Sequence, residues 1–250
     1  MDTIESLAPW FYEFDLGPLG RTSSALPPEV QPIHSTRLEM LNTAMGRYFA
    51  PEQLRNARCL DVGCHEGFYS VALAQRPVRE VVGVDVRLDS LRRACFVSGA
   101  LGLNNVSFQQ MNAEAISAAE LGEFDLTLCL GLIYHLESPM ICLRNIAAVT
   151  KNLCVVETQV VDEVEGLAEW GAMAWTRPYQ GILALIDETA EYDAENRETG
   201  ATPLATCPSP RALETMLKHA GFSRVEFIEP PDNAYEQLAR RKRVVCAAIK

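Results

Sequence analysis

One stretch of the chain combines residue types and spacing that suit the binding of a nucleotide. Residues 59–70, CLDVGCHEGFYS, form an apolar run that ends in a glycine turn and passes into a helix. Asp85 ends the next apolar run, 24 positions after Asp61. Glycines let the backbone approach a ligand at such a turn, and an acid at the next strand end can bind both ribose hydroxyls. The pattern therefore predicts a nucleotide-cofactor site.

The pair Tyr134-His135 is a second candidate for chemistry. It follows the fourth predicted strand, so both residues are expected in a loop over the substrate. Histidine can act as a general base because its ordinary pKa lies near neutrality. We expect His135 and Tyr134 to be the catalytic residues, and a structural histidine that bonds its own loop is an equally open interpretation.

A parallel sheet is needed to position these residues. Apolar strands that alternate with helices are typical of a sheet covered on both faces. The five strands predicted in this way are Arg58–Val62, Glu80–Asp85, Val106–Gln110, Asp125–Leu130 and Leu153–Thr158. Two further strands, Arg224–Ile228 and Val244–Ile249, follow with no long helix between them, so the last strand is expected to be antiparallel. The predicted class is α/β, with seven mostly parallel strands.

Two segments add to this pattern. Residues 1–50 are expected to form an arm and a helix that cover the site, and 51–250 the main domain, with 160–208 as an insertion on the substrate side. The aromatic residues expected to line a substrate pocket are Trp10, Tyr12 and Trp175. Core packing is the more common fate of such aromatic side chains.

Arg37 is predicted to begin a helix that Thr36 caps and that ends near Phe49. A cation at a helix start is unfavourable against the helix dipole, so this placement hints at a function. Arginine can clamp a carboxylate of a cofactor or a substrate. A surface salt bridge is the open alternative.

The order of elements, the turn from Asp61 to Gly67, Asp85 and the terminal hairpin resemble class I S-adenosylmethionine-dependent methyltransferases over residues 55–250. The resemblance implies a Rossmann-like fold and S-adenosylmethionine as the cofactor. The implied cofactor-binding residues are Asp61, Gly63, Cys64, His65, Gly67, Asp85, Val86, Asn112, Ala113, Leu130 and Arg37. His65 stands where the motif usually has glycine, and a Cβ there is expected to alter the turn.

The ends of the third and fourth strands have separate roles in this comparison. Asn112 would accept a hydrogen bond from the adenine amine and the backbone N–H of Ala113 would donate to the ring, with Glu114 as the competing candidate for Asn112. Leu130 would lie beside the transferable methyl group.

A closer similarity lies in residues 130–139, LGLIYHLESP, which look like a segment of the tRNA wobble-uridine oxyacetic-acid methyltransferase family and its relatives. Residues 209–225 look like that family's tail. Leu136 stands where those enzymes have arginine, whereas Arg243 is a candidate match for an arginine that they use on a carboxylated cofactor.

The charge of the chain bears on its substrate. The formal net charge is −11. The segment from Val160 to Gly200 contains ten acidic residues and only two arginines. Such a surface repels phosphate backbones, which disfavours nucleic acid. We expect transfer of a methyl group to oxygen or nitrogen of a small molecule. A tRNA-modifying enzyme and a non-catalytic cofactor-binding protein are the alternatives.

Composition gives weaker expectations. No apolar run approaches the roughly 18 residues of a membrane span, and the N-terminus lacks a signal-peptide pattern, so no membrane contact and a cytoplasmic location are expected. The eight cysteines contain no CxxC pair and no zinc spacing, so we expect reduced thiols and no metal site. Nothing in the sequence indicates the oligomeric state.

Overall fold

The computed structural model describes residues 2–169, 176–193, 196, 199–200 and 202–250. Its strands are β1 (Arg58–Val62), β2 (Glu80–Asp85), β3 (Val106–Gln110), β4 (Phe124–Leu130), β5 (Thr150–Gln159), β6 (Leu167–Glu169), β7 (Thr176–Pro178), β8 (Leu183–Asp187), β9 (Leu204–Pro208), β10 (Arg224–Ile228) and β11 (Arg243–Ile249). Its α-helices are α1 (Pro32–Tyr48), α2 (Pro51–Arg55), α3 (Phe68–Ala74), α4 (Leu88–Ala100), α5 (Ala118–Leu121), α6 (Pro139–Val149), α7 (Pro210–Ala220) and α8 (Glu236–Ala239).

Seven strands form one sheet in the order β10-β11-β5-β4-β1-β2-β3. The strands from β1 to β5 pair in parallel, whereas β11 runs antiparallel to both β10 and β5. This topology confirms the predicted seven-stranded, mostly parallel sheet with an antiparallel last strand. The sequence order reverses between β1 and β4, and the crevice at such a reversal is the usual ligand site of this architecture.

The apolar runs of the strands fill two cores because successive side chains point to opposite faces of the sheet. Leu128 packs in the core that includes α1 and α3, while its neighbour Cys129 packs in the core that includes α6 and α7. Both side chains are fully buried. Burial on both faces explains why these strands are continuously apolar rather than alternating.

Helix α1 begins earlier than the sequence analysis expected. It starts at Pro32, a residue that suits the first helical position because its missing N–H would be unpaired there. Thr36 does not cap the helix; its hydroxyl accepts a hydrogen bond from the backbone N–H of Tyr235 at 2.9 Å. Arg37 therefore lies in the second turn, and the dipole argument for its function is wrong.

The N-terminal arm packs on the helices beside the glycine turn. Its buried apolar side chains contact Val71 of α3 and Val97 of α4. The insertion after β5 contains two antiparallel pairs, β6 with β7 and β8 with β9, which the sequence analysis did not predict. Both segments thus reach the same end of the sheet from opposite ends of the sequence.

Two expectations from composition can be compared with the structure. All eight cysteines are free, and only Cys95 among them is exposed. The part of the chain that the structure describes contains no helix with the length and apolar character needed to cross a membrane.

Candidate active site

A cavity of about 610 Å³ opens at the carboxyl ends of the parallel strands. One side, here called the aspartate end, is lined by Gly63, His65, Asp85, Val86 and residues 111–114. The other side, here called the arginine end, is lined by Arg37, Tyr134, His135 and Arg243. The arm adds Phe11 and Tyr12, α1 adds His34, and the insertion adds Glu188, Glu191 and Tyr192. The volume lies within the usual range for small-molecule sites.

The glycine turn forms the floor of the aspartate end. Gly63 and Gly67 have φ angles of 70° and 81°, in the left-handed region that glycine adopts without strain. A Cβ on Gly67 would lie 3.0 Å from both Ala94 and Phe108, so packing also requires glycine there. His65 has φ of 51° and adopts the left-handed conformation despite its side chain. The turn therefore keeps the left-handed backbone that glycine would adopt at this position, although the Cβ of His65 was expected to alter it.

Three of the expected cofactor residues do not line the cavity: Asp61, Cys64 and Gly67. Asp61 is buried and accepts a hydrogen bond from the Ser70 hydroxyl at 2.6 Å. Burial raises the pKa of Asp61 to about 6, against the lowering effect of that bond. Asp61 therefore links the start of the turn to α3 through Ser70.

Asp85 faces the cavity at the end of β2. Its Oδ2 accepts a hydrogen bond from the backbone N–H of His65, and its Oδ1 accepts one from that of Arg87, both at 2.9 Å. Burial raises the pKa of Asp85, while these N–H donors oppose that rise. The two bonds fix the carboxylate and still leave acceptor lone pairs for ligand hydroxyls.

Four more of the expected cofactor residues line the cavity: Val86, Asn112, Ala113 and Leu130. Val86 is exposed, with 46% of its surface accessible, and it lines the cavity. Asn112 uses its side-chain oxygen to accept from the backbone N–H of Glu114 at 2.9 Å, which turns the following residues. Ala113 and Leu130 also line the cavity. Of the expected cofactor residues, those that line the cavity are therefore Gly63, His65, Asp85, Val86, Asn112, Ala113, Leu130 and Arg37.

The arginine end is built around Glu157, a fully buried carboxylate that the sequence analysis missed. Arg37 Nη2 lies 2.9 Å from its Oε2, and Arg243 Nη1 lies 3.1 Å from its Oε1. Arg243 also donates to the Tyr134 hydroxyl, at 3.2 Å from Nη1. Burial works against the charge of Arg37, but Glu157 together with Tyr69, Tyr134 and Tyr12 outweighs it, so the pKa of Arg37 is raised. Two cations on one carboxylate leave this end net positive.

Two histidines of the cavity are held neutral. Burial lowers the pKa of His135 to about 4, and the nearby Arg243 adds to this effect. Burial likewise lowers the pKa of His34 to about 3, with a contribution from Arg37. Both side chains have ring nitrogens without a hydrogen-bond partner among the described residues. The expectation that the pKa of His135 lies near neutrality is therefore wrong.

The three aromatic residues expected at the substrate have different positions. Tyr12 lines the cavity and stacks on Phe68, with ring centroids 4.9 Å apart. Trp10 does not line it; the ring is 2% exposed, and its Nε1 donates to the carbonyl of Ile4 at 2.9 Å. Trp10 therefore belongs to the packing of the arm. Trp175 lies outside the described residues.

Sequence reasoning missed several residues that shape this site. Glu157 directly follows the apolar run LCVV of β5, and an isolated acid there is a signal of a buried partner. Glu66 lies inside the glycine turn and is also fully buried. Phe11 and His34 carry no sequence signal of their own, because only long-range contacts bring them to the cavity.

Comparison with known sequences agrees with this geometry. Residues 54–203 match the family described as "Methyltransferase domain". A ubiquinone biosynthesis O-methyltransferase of Psychrobacter arcticus is 26% identical over 211 residues, which cover 80% of this chain and 74% of that protein. A tRNA U34 carboxymethyltransferase of Marinobacter nauticus is 33% identical over 203 residues, which cover 76% of this chain and 59% of that protein.

Solved structures share the fold. The N-terminal domain of EvdMO1, crystallised with S-adenosylhomocysteine and D-fucose, superposes with a TM-score of 0.70 at 23% identity, over 98% of this chain and 93% of that one. An S-adenosylmethionine-dependent methyltransferase from Mesorhizobium loti has a TM-score of 0.59 at 14% identity, over 84% and 98% of the two chains. With the family match over more than half of its length, the chain belongs to the methyltransferase-domain family and is a class I S-adenosylmethionine-dependent methyltransferase.

Proposed function

We propose that the chain transfers the methyl group of S-adenosylmethionine to an oxygen or nitrogen atom of a small molecule. The observation that carries this proposal is a single cavity with a nucleotide-type aspartate end and a cationic arginine end. Residues of the first end would hold the nucleotide part of the cofactor, Arg37 of the second end would hold its carboxylate, and Leu130 would lie beside its methyl group. The acceptor would bind beside Tyr134, His135 and Arg243. When bound, the cofactor supplies an electrophilic methyl group on a positively charged sulfur.

The residues at the aspartate end fit this cofactor. Asp85 would accept hydrogen bonds from the ribose hydroxyls, and Asn112 and Ala113 would bind the adenine edge. Gly63 would allow the backbone close to the methionine part, with His65 beside it. Arg37 would bind the cofactor carboxylate, because its Nε faces no partner among the described residues although the side chain is buried.

The acceptor side would act mainly by orientation. Methyl transfer needs an in-line approach of the nucleophile, and holding two reactants in that geometry removes much of the barrier. Tyr134 and Arg243 would orient a polar acceptor through their hydrogen-bonded pair. His135, with its pKa near 4, would accept a hydrogen bond from an acceptor O–H or N–H as a weak base. The acceptor's proton would pass to the ring of His135 and then to solvent, as the new bond to the methyl carbon replaced the carbon–sulfur bond and left neutral S-adenosylhomocysteine.

The segments that cover the cavity favour a small acceptor. The arm and helix in residues 1–50 would form one wall, and the insertion of residues 160–208 the other. Glu188 and Glu191 line the cavity, so the covering wall is acidic on its inner side. An acidic wall opposes entry of a polyphosphate backbone, which supports a small molecule over nucleic acid.

The test is a product screen. The protein would be incubated with S-adenosylmethionine and a panel of phenols, catechols, hydroxy acids, sugars and amines, and masses would be searched for acceptors enlarged by one methyl group. We expect one class of acceptor to be methylated with stoichiometric S-adenosylhomocysteine. The Asp85→Ala variant serves as the control without cofactor binding. Tight binding of S-adenosylhomocysteine with no product from any acceptor would instead favour a non-catalytic role.

A carboxymethyl transfer to tRNA is the second candidate. It is supported by the similarity to the tRNA U34 carboxymethyltransferase and by Arg243, whose contact with Tyr134 leaves a cation facing the cavity. tRNA that carries a hydroxyl group on the base of its wobble uridine would be offered with S-adenosylmethionine or with its carboxylated form. Carboxymethylation of that hydroxyl would support this candidate, and its recovery unchanged with both cofactors would exclude it.

A further inference from the structure

Glu66 holds the N-terminal arm against the glycine turn. Its side chain is fully buried, and its Oε2 accepts hydrogen bonds from two consecutive backbone N–H groups of the arm, Phe11 at 2.8 Å and Tyr12 at 3.2 Å. Glu66 is separated from these two residues by 55 and 54 positions in the sequence, so one carboxylate joins distant segments of the chain. A buried carboxylate is retained only where donors and cations compensate its lost hydration.

A cation completes this anchor. Arg93 of α4 has its Nε 3.6 Å from Glu66 Oε1, and the same Nε donates to the carbonyl of Leu7 at 2.7 Å. The arm is thus held at Leu7, Phe11 and Tyr12 by two charged side chains that carry opposite charges. Because the Arg93 side chain is only 9% exposed, water screens this interaction weakly.

The arm residues held by Glu66 are those that line the cavity. The Phe11 ring lies 4.8 Å from the ring of His65 and 5.3 Å from that of His34. The Tyr12 ring lies 4.4 Å from that of His34. These four rings form a continuous aromatic wall between the glycine turn and α1, and Glu66 is the only residue of the turn whose side chain bonds the arm's backbone at Phe11 and Tyr12 within the described part of the chain.

We propose that Glu66 is a positioning residue for the acceptor. It acts through Phe11 and Tyr12, which it holds in the aromatic wall, and it does not touch the cofactor or the reacting atoms. The wall then makes acceptor recognition depend on the glycine turn, because one residue of that turn sets the position of the arm. The proposal rests on the proposed function for its kinetic readout but not for its structural one.

The test compares Glu66→Gln with Phe11→Ala and with the double variant. Glu66→Gln keeps the shape but removes the charge that faces Arg93. We expect its KM for the acceptor to rise about tenfold, its kcat to change less than threefold, and its Kd for S-adenosylhomocysteine to stay within threefold of wild type. If Glu66 acts through the arm, the double variant has the KM of the more impaired single variant, rather than the product of both effects.

Hydrogen exchange followed by mass spectrometry supplies the readout that needs no acceptor. Residues 7–14 should lose protection in Glu66→Gln, while residues 58–62 of β1 keep theirs. Leu213→Ala, in the α6–α7 core, is the matched control: it destabilises the protein but should leave both the arm protection and KM unchanged. If Glu66→Gln fails to fold, Phe11→Ala and Arg93→Lys are measured in its place by the same two readouts.

Two outcomes would overturn the proposal. One is normal protection of residues 7–14 in Glu66→Gln, and the other is a fall in kcat with unchanged KM. The absence of methyl transfer by the wild type would count against the proposed function alone, because the exchange data and the binding of S-adenosylhomocysteine would still decide the role of Glu66.

Discussion

The two ends of the cavity are built in different ways. The aspartate end uses backbone groups and two carboxylates, Asp85 and Glu114, from residues 63–114, at the ends of neighbouring strands. The arginine end uses charged side chains from α1, β5 and β11, which span positions 37 to 243. Local backbone geometry thus forms the aspartate end, whereas the arginine end depends on long-range ion pairs.

The two ends also respond differently to the loss of one group. At the aspartate end, Asp85 is bonded to backbone N–H groups that remain near solvent when it is removed. At the arginine end, Glu157 is the carboxylate shared by Arg37 and Arg243, and both cations are nearly buried. Removal of a buried partner leaves uncompensated charge, so stability should be more sensitive at the arginine end and cofactor affinity at the aspartate end.

Glu157→Gln should have the largest effect. It removes the negative charge that both arginines contact, the only one paired with them in the described part of the chain. Breaking a buried pair in this way costs about 3–5 kcal/mol of unfolding free energy. Urea unfolding would measure the loss. Glu236→Gln, which breaks the exposed pair with Arg240, should change stability little. A Glu157→Gln variant as stable as wild type would mean that the arginine end is not held by charge.

Asp85→Ala should abolish most cofactor affinity while it leaves the fold intact. Two charge-assisted hydrogen bonds to the ribose account for a loss of about 100-fold in the Kd of S-adenosylhomocysteine, measured by calorimetry. Asp89→Ala, on the exposed first turn of α4, is the matched control and should bind normally. Unchanged affinity in Asp85→Ala would show that the aspartate end does not hold the cofactor.

The same contrast explains what the sequence could predict. The bounds of β1, β2 and β3 and the presence of a glycine turn after β1 follow from local patterns, since apolar runs and turns depend on neighbouring residues. Trp10 was expected at the substrate but packs inside the arm, because an aromatic residue in a nonperiodic segment gives no sign of what it packs against. Arg37 was expected at the site and does line it, although the reason given for it, the helix dipole, was wrong.

Glu157 and Glu66 each carry a sequence signal that indicates a buried partner. Each is an acid within an apolar or glycine-rich run, where a charged side chain is costly unless it is paired. Their partners lie 27 or more positions away, so the sequence indicates that a partner exists but not which one. Glu157 therefore could have been singled out, whereas its pairing with Arg37 and Arg243 required the fold.

His34→Phe should reduce the dependence of stability on pH. The pKa of His34 is about 3 in the folded protein and 6.5 in the unfolded chain, so its contribution is complete above pH 6.5 and is lost as the pH falls toward 3. Between pH 7.5 and pH 5, the unfolding free energy of the wild type should fall by about 2 kcal/mol more than that of the variant. Asp61, whose pKa is raised by burial, changes stability in the opposite direction as the pH falls. Because this contribution is the same in wild type and in His34→Phe, it cancels in the difference between them. Parallel profiles of urea midpoints would contradict a neutral, buried His34.

Tyr134→Phe should have the smallest effect and should separate the two ends most cleanly. It removes the hydroxyl that accepts from Arg243 but keeps the ring, which lies under the guanidinium at 5.0 Å. Loss of one such bond corresponds to about 1 kcal/mol, or roughly fivefold in kcat/KM. The Kd of S-adenosylhomocysteine should not change, since Tyr134 lies at the arginine end. Tyr48→Phe removes a hydroxyl bonded to Glu226 outside the cavity and should alter neither quantity. Equal losses of affinity and kcat/KM in Tyr134→Phe would mean that the two ends act as one unit, because a group confined to the acceptor side cannot weaken the binding of the cofactor alone.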